Sequence, residues 1–135
     1  MATLVLTDAS VVFNSVDLSD HVRQVTLNYD ANELDDTAMG ATTESRKGGL
    51  KRWSADVEYN QDFTGSSVDA TLFPLVGTTA TLTIKPSSAA VSATNPRFFG
   101  TALLSSYPPL GNSVGSLATT TAKFVNAGAL TRATT

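Results

Sequence analysis

The chain has 135 residues, of which 41% are hydrophobic and none is cysteine. This length is sufficient for one globular domain with a sizeable core and leaves no room for two. The lack of cysteine excludes disulfides, thiolate catalysis and cysteine-based metal sites. No run of about 18 apolar residues is present, and no basic stretch precedes an apolar one at the start, so neither membrane insertion nor secretion is expected.

Charged residues are segregated along the sequence. All 12 acidic residues lie between Asp8 and Asp69 together with five of the nine basic ones, so this part carries −7 and the remainder carries +4. Such segregation predicts association between acidic and basic surfaces of different copies, the alternative being a chance distribution without consequence. No basic stripe of the kind that binds nucleic acid is present, so a specific nucleic-acid site is not expected.

Alternation of apolar and polar residues predicts that strands dominate the first half of the chain. Short apolar runs at 11–13 and 16–18 flank Asn14-Ser15, which predicts a hairpin turn. Strict alternation then follows in 25–29 and in 53–59, where Val, Leu, Tyr, Trp and Ala residues alternate with polar ones. This period of two is typical of long antiparallel strands with one face toward the core.

Residues 30 to 52 join these two long strands and are predicted to form a projecting loop. The first half of the segment is acidic and the second half is basic, and a loop of this length is usually functional. The cluster Glu33, Asp35 and Asp36 offers oxygen ligands for calcium but lacks the spacing and the glycine of an EF-hand loop. A solvated acidic arm that contacts a neighbouring molecule is the favoured interpretation.

One short helix is predicted within residues 66 to 76. Gly65-Ser66-Ser67 supplies a serine cap, Asp69 suits the positive end of a helix, and Pro74 ends the hydrogen-bond ladder. Further strands are expected at Ala80 to Ile84, Phe98 to Leu104 and Leu117 to Val125. The whole chain is therefore predicted to be one mainly β domain, an antiparallel β-sandwich with one short flanking helix.

The sequence contains little that could support catalysis. His21 is the only histidine and follows Ser19-Asp20 in a predicted turn, so a structural or surface role is expected. Neither a nucleophile elbow nor a glycine-rich phosphate loop is present, and no cofactor is expected.

Two alternatives of other classes remain open. A carbohydrate- or surface-binding module could use stacking rings from Tyr29, Trp53, Tyr59 and Tyr107. Packing in the core explains most of these rings better. A hydrolase would use two carboxylates, one with a raised pKa, drawn from Glu33, Asp35, Asp36, Asp56 and Glu58.

Several blocks of the sequence resemble the major tail tube proteins of long-tailed, non-contractile (siphovirus-type) bacteriophages. These blocks are Asp17-Leu18-Ser19-Asp20-His21-Val22, Glu33-Leu34-Asp35-Asp36-Thr37-Ala38-Met39-Gly40, Gly49-Leu50-Lys51 with Trp53, and Val68-Asp69-Ala70-Thr71-Leu72-Phe73-Pro74-Leu75. The resemblance implies a structural virion protein rather than an enzyme, with a β-sandwich, one flanking helix and self-assembly into stacked six-fold rings around a DNA conduit. A tail terminator or connector is the related alternative.

The resemblance also implies partners and a location. The expected partners are further copies of the chain together with tape measure, tail terminator and distal tail proteins, while DNA transits the lumen without specific binding. The expected location is the virion tail, after synthesis and assembly in the host cytoplasm.

Two sets of residues are candidates for these roles. The long loop is expected to contact the adjacent ring through Glu33, Leu34, Asp35, Asp36, Met39, Arg46, Lys47, Leu50, Lys51 and Arg52. The lumen-facing candidates are Asp30, Asp56 and Glu58, because an acidic or neutral lumen would not retain phosphate.

Overall fold

The strands of the molecule belong to one antiparallel sheet. The computed structural model describes residues 3 to 65 and 67 to 135, which form eight strands and one α-helix. The elements are β1 (Ser10–Phe13), β2 (Val16–Asp17), β3 (Val22–Asp35), β4 (Arg46–Asn60), α1 (Val68–Leu72), β5 (Thr79–Lys85), β6 (Arg97–Ser106), β7 (Thr119–Asn126) and β8 (Thr131–Ala133), with 3-10 turns at Ser19–His21 and Phe73–Leu75. The strand order is β2-β1-β5-β6-β7-β4-β3, and β8 pairs with the start of β6.

This architecture confirms the predicted fold class: within the described residues it is mainly antiparallel β-sheet with one short helix. The predicted hairpin turn is also confirmed, since Asn14 and Ser15 have φ of 52° and 64° and join the paired strands β1 and β2. Positive φ at both central residues is the signature of a tight turn that matches the twist of a hairpin.

The helix is shorter than predicted. It runs from Val68 to Leu72 and continues as the 3-10 turn that contains Pro74. The predicted serine cap was wrong for Ser67, because its hydroxyl makes no capping bond and donates to Asp62 instead. Ser66, the other serine proposed as a cap, lies outside the described residues.

The core forms because the sheet folds over itself. The rings of Phe13 on β1 and Phe124 on β7 lie 4.8 Å apart, centroid to centroid. In a flat sheet these strands, three positions apart, would be separated by roughly 14 Å. The alternating residues Trp53, Ala55, Val57 and Tyr59 of β4 are buried between the resulting layers, as are Val68 and Leu72 of α1.

The predicted loop at residues 30 to 52 is instead a two-stranded ribbon over most of its length. Pairing of β3 with β4 continues from Asp30 opposite Arg52 to Asp35 opposite Arg46, so only residues 36 to 45 form a loop. The strand β7 pairs with β4 from Ser54 onward, so no third strand of the described residues lies beside the ribbon. We call residues 30 to 52 the ribbon and residues 36 to 45 its tip.

A close backbone approach fixes the chain before β8 against the core. The indole nitrogen Nε1 of Trp53 donates to the carbonyl oxygen of Gly128 at 2.8 Å. A Cβ added at Gly100 on β6 would lie 2.6 Å from the carbonyl oxygen of Ala129 and 2.9 Å from Cζ2 of Trp53. Only glycine therefore fits at position 100.

Gly100→Ala is expected to destabilise the fold by about 1 to 3 kcal/mol, because the added methyl group must displace backbone and a buried indole ring. Gly48→Ala is the matched control, since a Cβ there meets nothing within 4 Å, and its effect should stay within about 0.5 kcal/mol. Urea unfolding of both variants measures the difference. Equal stability of the two variants would contradict the close packing described for Gly100.

Candidate assembly surfaces

The charges at the end of the ribbon are largely paired within the chain. Arg46 lies 3.7 Å from Asp35 and 2.8 Å from Glu44, and Lys47 lies 3.8 Å from Asp36, measured between nitrogen and carboxylate oxygen. The backbone N–H and the hydroxyl of Thr37 lower the pKa of Asp35 from its usual value. These exposed pairs contribute little stability, but they satisfy Arg46 and Lys47, two of the four basic residues expected to face a neighbouring subunit.

The apolar candidates on the ribbon remain exposed. Leu34 and Leu50 are exposed on its strands, and Met39 is fully exposed on its tip. Arg52 donates to the side-chain oxygen of Asn32 at 3.3 Å, and Lys51 has no ion-pair partner among the residues described. The ten candidates for ring contacts thus lie on one projecting element, with the apolar side chains available for contact.

The three lumen candidates share the outer face of β3 and β4, opposite the core. Asp56 alternates with buried residues of β4, and Asp30 shares its face because it is in register with Arg52, four residues before Asp56. Asp56 is in register with Lys123 of β7, and Glu58 lies 3.5 Å from Arg23. The sequence suggested an acidic face, whereas the sheet places a basic residue beside each carboxylate, with Arg52 opposite Asp30.

One long strand edge is open. The strand β3 has 14 residues, and in the described part of the chain it pairs with β4 alone. At the other end of the sheet, β2 has only two residues. A long unpaired edge offers a row of backbone donors and acceptors to another chain.

His21 belongs to a polar cluster that ties the turn before β3 to the start of α1. Its Nε2 lies 3.0 Å from Asp62 Oδ2 and 3.2 Å from Ser67 Oγ, and Ser67 donates to the same Asp62 oxygen at 2.8 Å. A catalytic triad requires the serine and the aspartate on different ring nitrogens. Because both lie on Nε2, the geometry is that of a structural tie.

The aromatic residues proposed for stacking are mostly unavailable. Trp53, Tyr59 and Tyr107 are buried, whereas Tyr29 is exposed. Burial raises the pKa of Tyr107 to about 12, and its hydroxyl donates to Asp69 at 2.9 Å. These rings pack the core and its margin rather than forming a platform for sugars.

The carboxylates proposed for hydrolysis or calcium binding are not gathered at one site. Glu33, Asp35 and Asp36 lie on the ribbon, while Asp56 and Glu58 lie on the sheet. Within residues 3–65 and 67–135, no group of three acidic or histidine side chains is arranged to hold a metal ion. In the same residues, no helix has the length and apolar character required to cross a membrane.

The fold of the chain is similar to that of several solved structures. No family model and no curated protein matches the sequence. A chain in the virion of a native gene transfer agent particle superposes with a TM-score of 0.72 at 14% identity, over 93% of this chain and 95% of that one. A chain of the SPP1 tail tube, determined by solid-state NMR and cryo-EM, gives 0.72 at 13% identity, over 95% and 77%.

The chain has the fold of a phage tail tube protein. A chain from the tail of an empty gene transfer agent particle, obtained by helical refinement with C6 symmetry, has a TM-score of 0.64 at 15% identity, over 82% of this chain and 81% of that one. These identities are low, so the similarity concerns the fold.

Sequence reasoning missed a second exposed apolar surface. Residues 107 to 118, which we call the distal loop, join β6 to β7 and expose Leu110, Val114 and Leu117. The sequence does carry a signal, because large apolar residues recur in a stretch of glycine, serine and proline without any charged residue. Such a stretch is ordinarily interpreted as a solvated connection.

Asp62→Asn is expected to lower stability at neutral pH and to lower it less in acid. Hydrogen bonds from the backbone N–H of Thr64 and the hydroxyls of Ser67 and Thr64 hold the pKa of Asp62 well below its usual range. The stabilisation is therefore complete above the unfolded-state pKa of about 4 and is lost as the pH falls toward the lower folded-state value. Urea unfolding at pH 7, 5 and 3 measures the difference between wild type and variant.

The control is Asp20→Asn, an exposed carboxylate on the neighbouring turn that makes no side-chain hydrogen bond among the described residues. It should leave stability at pH 7 nearly unchanged. If the difference in unfolding free energy between wild type and Asp62→Asn widened as the pH fell, the stabilising role of the hydrogen bonds to the Asp62 carboxylate would be contradicted.

Proposed function

We propose that this chain is a tail tube subunit, whose copies assemble into stacked six-fold rings around a conduit for DNA. The observation that carries the proposal is the similarity of nearly the whole chain to chains of a gene transfer agent virion and of the SPP1 tail tube, each with a TM-score of 0.72. The C6 symmetry of the similar gene transfer agent tail supports six-fold rings.

The open edge of β3 supports lateral assembly. Its 14 residues would leave a long row of backbone groups unpaired in an isolated molecule, which is an aggregation hazard. In a closed ring, a neighbouring subunit covers this edge in each copy, so the hazard becomes an interface. The ring therefore explains a feature that a monomer would have to avoid.

The outer face of β3, β4 and β7 is the proposed lining of the conduit. Its carboxylates Asp30, Asp56 and Glu58 stand beside Arg52, Lys123 and Arg23. A lining of this kind presents little net charge to the phosphate backbone, so few counterions would be released on contact. DNA would then pass without being retained.

The ribbon is the proposed contact between rings. Ordering a projecting segment costs roughly 1 to 2 kcal/mol of backbone entropy per residue, part of which the pairing of β3 with β4 offsets. Since Arg46 and Lys47 already have partners in the chain, the apolar residues Leu34, Met39 and Leu50 should supply most of the affinity between rings. Lys51 would then act on the register and encounter of the rings, whereas Arg52 is bonded to Asn32 and lies opposite Asp30 on the conduit face.

A tube of defined length also needs proteins that start and stop its growth. Tape measure, tail terminator and distal tail proteins are the proposed partners, and the virion tail is the proposed location. Assembly would take place in the host cytoplasm.

Electron microscopy and sedimentation of the purified protein test this function. The wild type is expected to form rings or tubes as its concentration rises. A variant in which Glu33 to Gly48 are replaced by an Asn-Gly turn should form no tubes. It should keep the core, because β7 pairs with β4 only from Ser54 onward and the deleted residues lie outside that part of the sheet. Circular dichroism and urea unfolding control for folding. Wild-type protein that stays monomeric at high concentration would contradict the tail tube function. A deletion variant that forms normal tubes would contradict the role of the ribbon in ring-to-ring contact.

The balance of charge on the conduit face gives a separate test. In the double variant Asp56→Asn and Glu58→Gln, Lys123 and Arg23 lose their acidic neighbours, so tubes should retain duplex DNA at about 50 mM salt and release it near 200 mM. Adding Lys123→Gln should restore release at low salt. Co-sedimentation of tubes with DNA measures retention. Equal retention by wild-type and variant tubes would show that this face does not line the conduit.

A further inference from the structure

The distal loop is held in place at one end of the long strand β4. The backbone N–H of Gln61, the residue after β4, donates to the carbonyl oxygen of Ala118 at 3.0 Å. Its side-chain nitrogen donates to the carbonyl oxygen of Pro109 at 2.7 Å and to the hydroxyl of Tyr107 at 2.9 Å. Both ends of the loop are thus attached to Gln61, while its apolar side chains are exposed.

The ribbon lies at the opposite end of the same strand. The strand β4 has 15 residues, and at about 3.3 Å per residue its two ends are roughly 45 Å apart. The tip of the ribbon therefore cannot reach the distal loop of its own chain. Any contact between these two surfaces requires a second copy.

The two surfaces are compatible in charge and in polarity. No charged residue occurs between 98 and 122, so the distal loop has no charge to desolvate. At the tip of the ribbon, Asp36 and Glu44 are paired with Lys47 and Arg46, and Met39 is fully exposed. Contact can then bury apolar surface without burying an unpaired charge. Burial of an unpaired charge is strongly unfavourable in an interface.

We propose that the distal loop of one copy is the seat for the ribbon tip of a second copy, with Met39 packed among Leu110, Val114 and Leu117. This inference rests on the proposed function and identifies the receiving surface of the ring-to-ring contact. The contact is heterologous, because the two surfaces are different parts of the chain, and a heterologous contact that does not close extends as an open stack.

Cysteine cross-linking tests the contact directly, because the chain contains no cysteine of its own. Met39→Cys and Val114→Cys are prepared as separate proteins, mixed, assembled into tubes and oxidised. The expected product is a disulfide-linked dimer of the two variants. Thr81→Cys, exposed on the outer face of β5, replaces Val114→Cys in the matched control and should give no dimer with Met39→Cys.

A second variant measures the energy of the same contact. Leu110→Ser combined with Leu117→Ser changes two exposed side chains, so it should leave the stability in urea unchanged. It should raise the concentration needed for assembly by about tenfold or more, since apolar contact is lost.

The outcomes separate the two proposals. Normal tubes in which cysteine at 39 does not link to cysteine at 114, or which form at the wild-type concentration in the double serine variant, overturn the distal-loop contact and leave the tail tube function intact. Wild-type protein that forms no tubes overturns both.

Discussion

The structure depends on a sheet that must cover its own core. The chain has no disulfide to stabilise it and contributes one short helix to the described core, so burial comes from curling the sheet until Phe13 meets Phe124. The indole of Trp53 and the absent side chain of Gly100 complete this closure near Gly128. The core residues face inward, so the outer face of β3, β4 and β7 is polar. In the described part of the chain, β3 ends the strand order, so its second edge is open.

The strand β4 serves both the core and the projecting surface. From Trp53 to Tyr59 its alternate side chains are buried, and before Trp53 its residues are mostly exposed. The change occurs where β7 ceases to pair with it. One continuous strand therefore anchors the ribbon in the most deeply buried part of the molecule, so the ribbon needs no core of its own.

Sequence patterns predicted the elements that have one apolar face and missed those that do not. The alternation from Trp53 to Tyr59 predicted a strand because burial of every second residue shows in the residue types. The ribbon strands carry Leu34 and Leu50 without a regular apolar alternation, so their pairing depends on register and on contacts such as Arg46 with Asp35, which no local pattern reveals. The strand β8 was missed for a similar reason, as its three residues Thr131 to Ala133 contain no apolar alternation.

The same sequence patterns predicted part of the candidate surfaces. Asp56 and Glu58 were correctly placed on one polar face, but the basic neighbours that balance them come from other strands. The distal loop was overlooked because exposure of Val114 can be recognised only once the turns around it are known.

The continuity of β4 has a mechanical consequence. A strand paired on both sides cannot slide by one residue without exchanging its buried and exposed faces, and a closely packed core resists such rearrangement. The segment of β4 from Ser54 to Asn60, which pairs with both β3 and β7, is therefore held in register. Each strand of the ribbon has one partner strand among the described residues, so this fixed segment of β4 is the base from which the ribbon projects at one end and to which the distal loop is bonded, through Gln61, at the other.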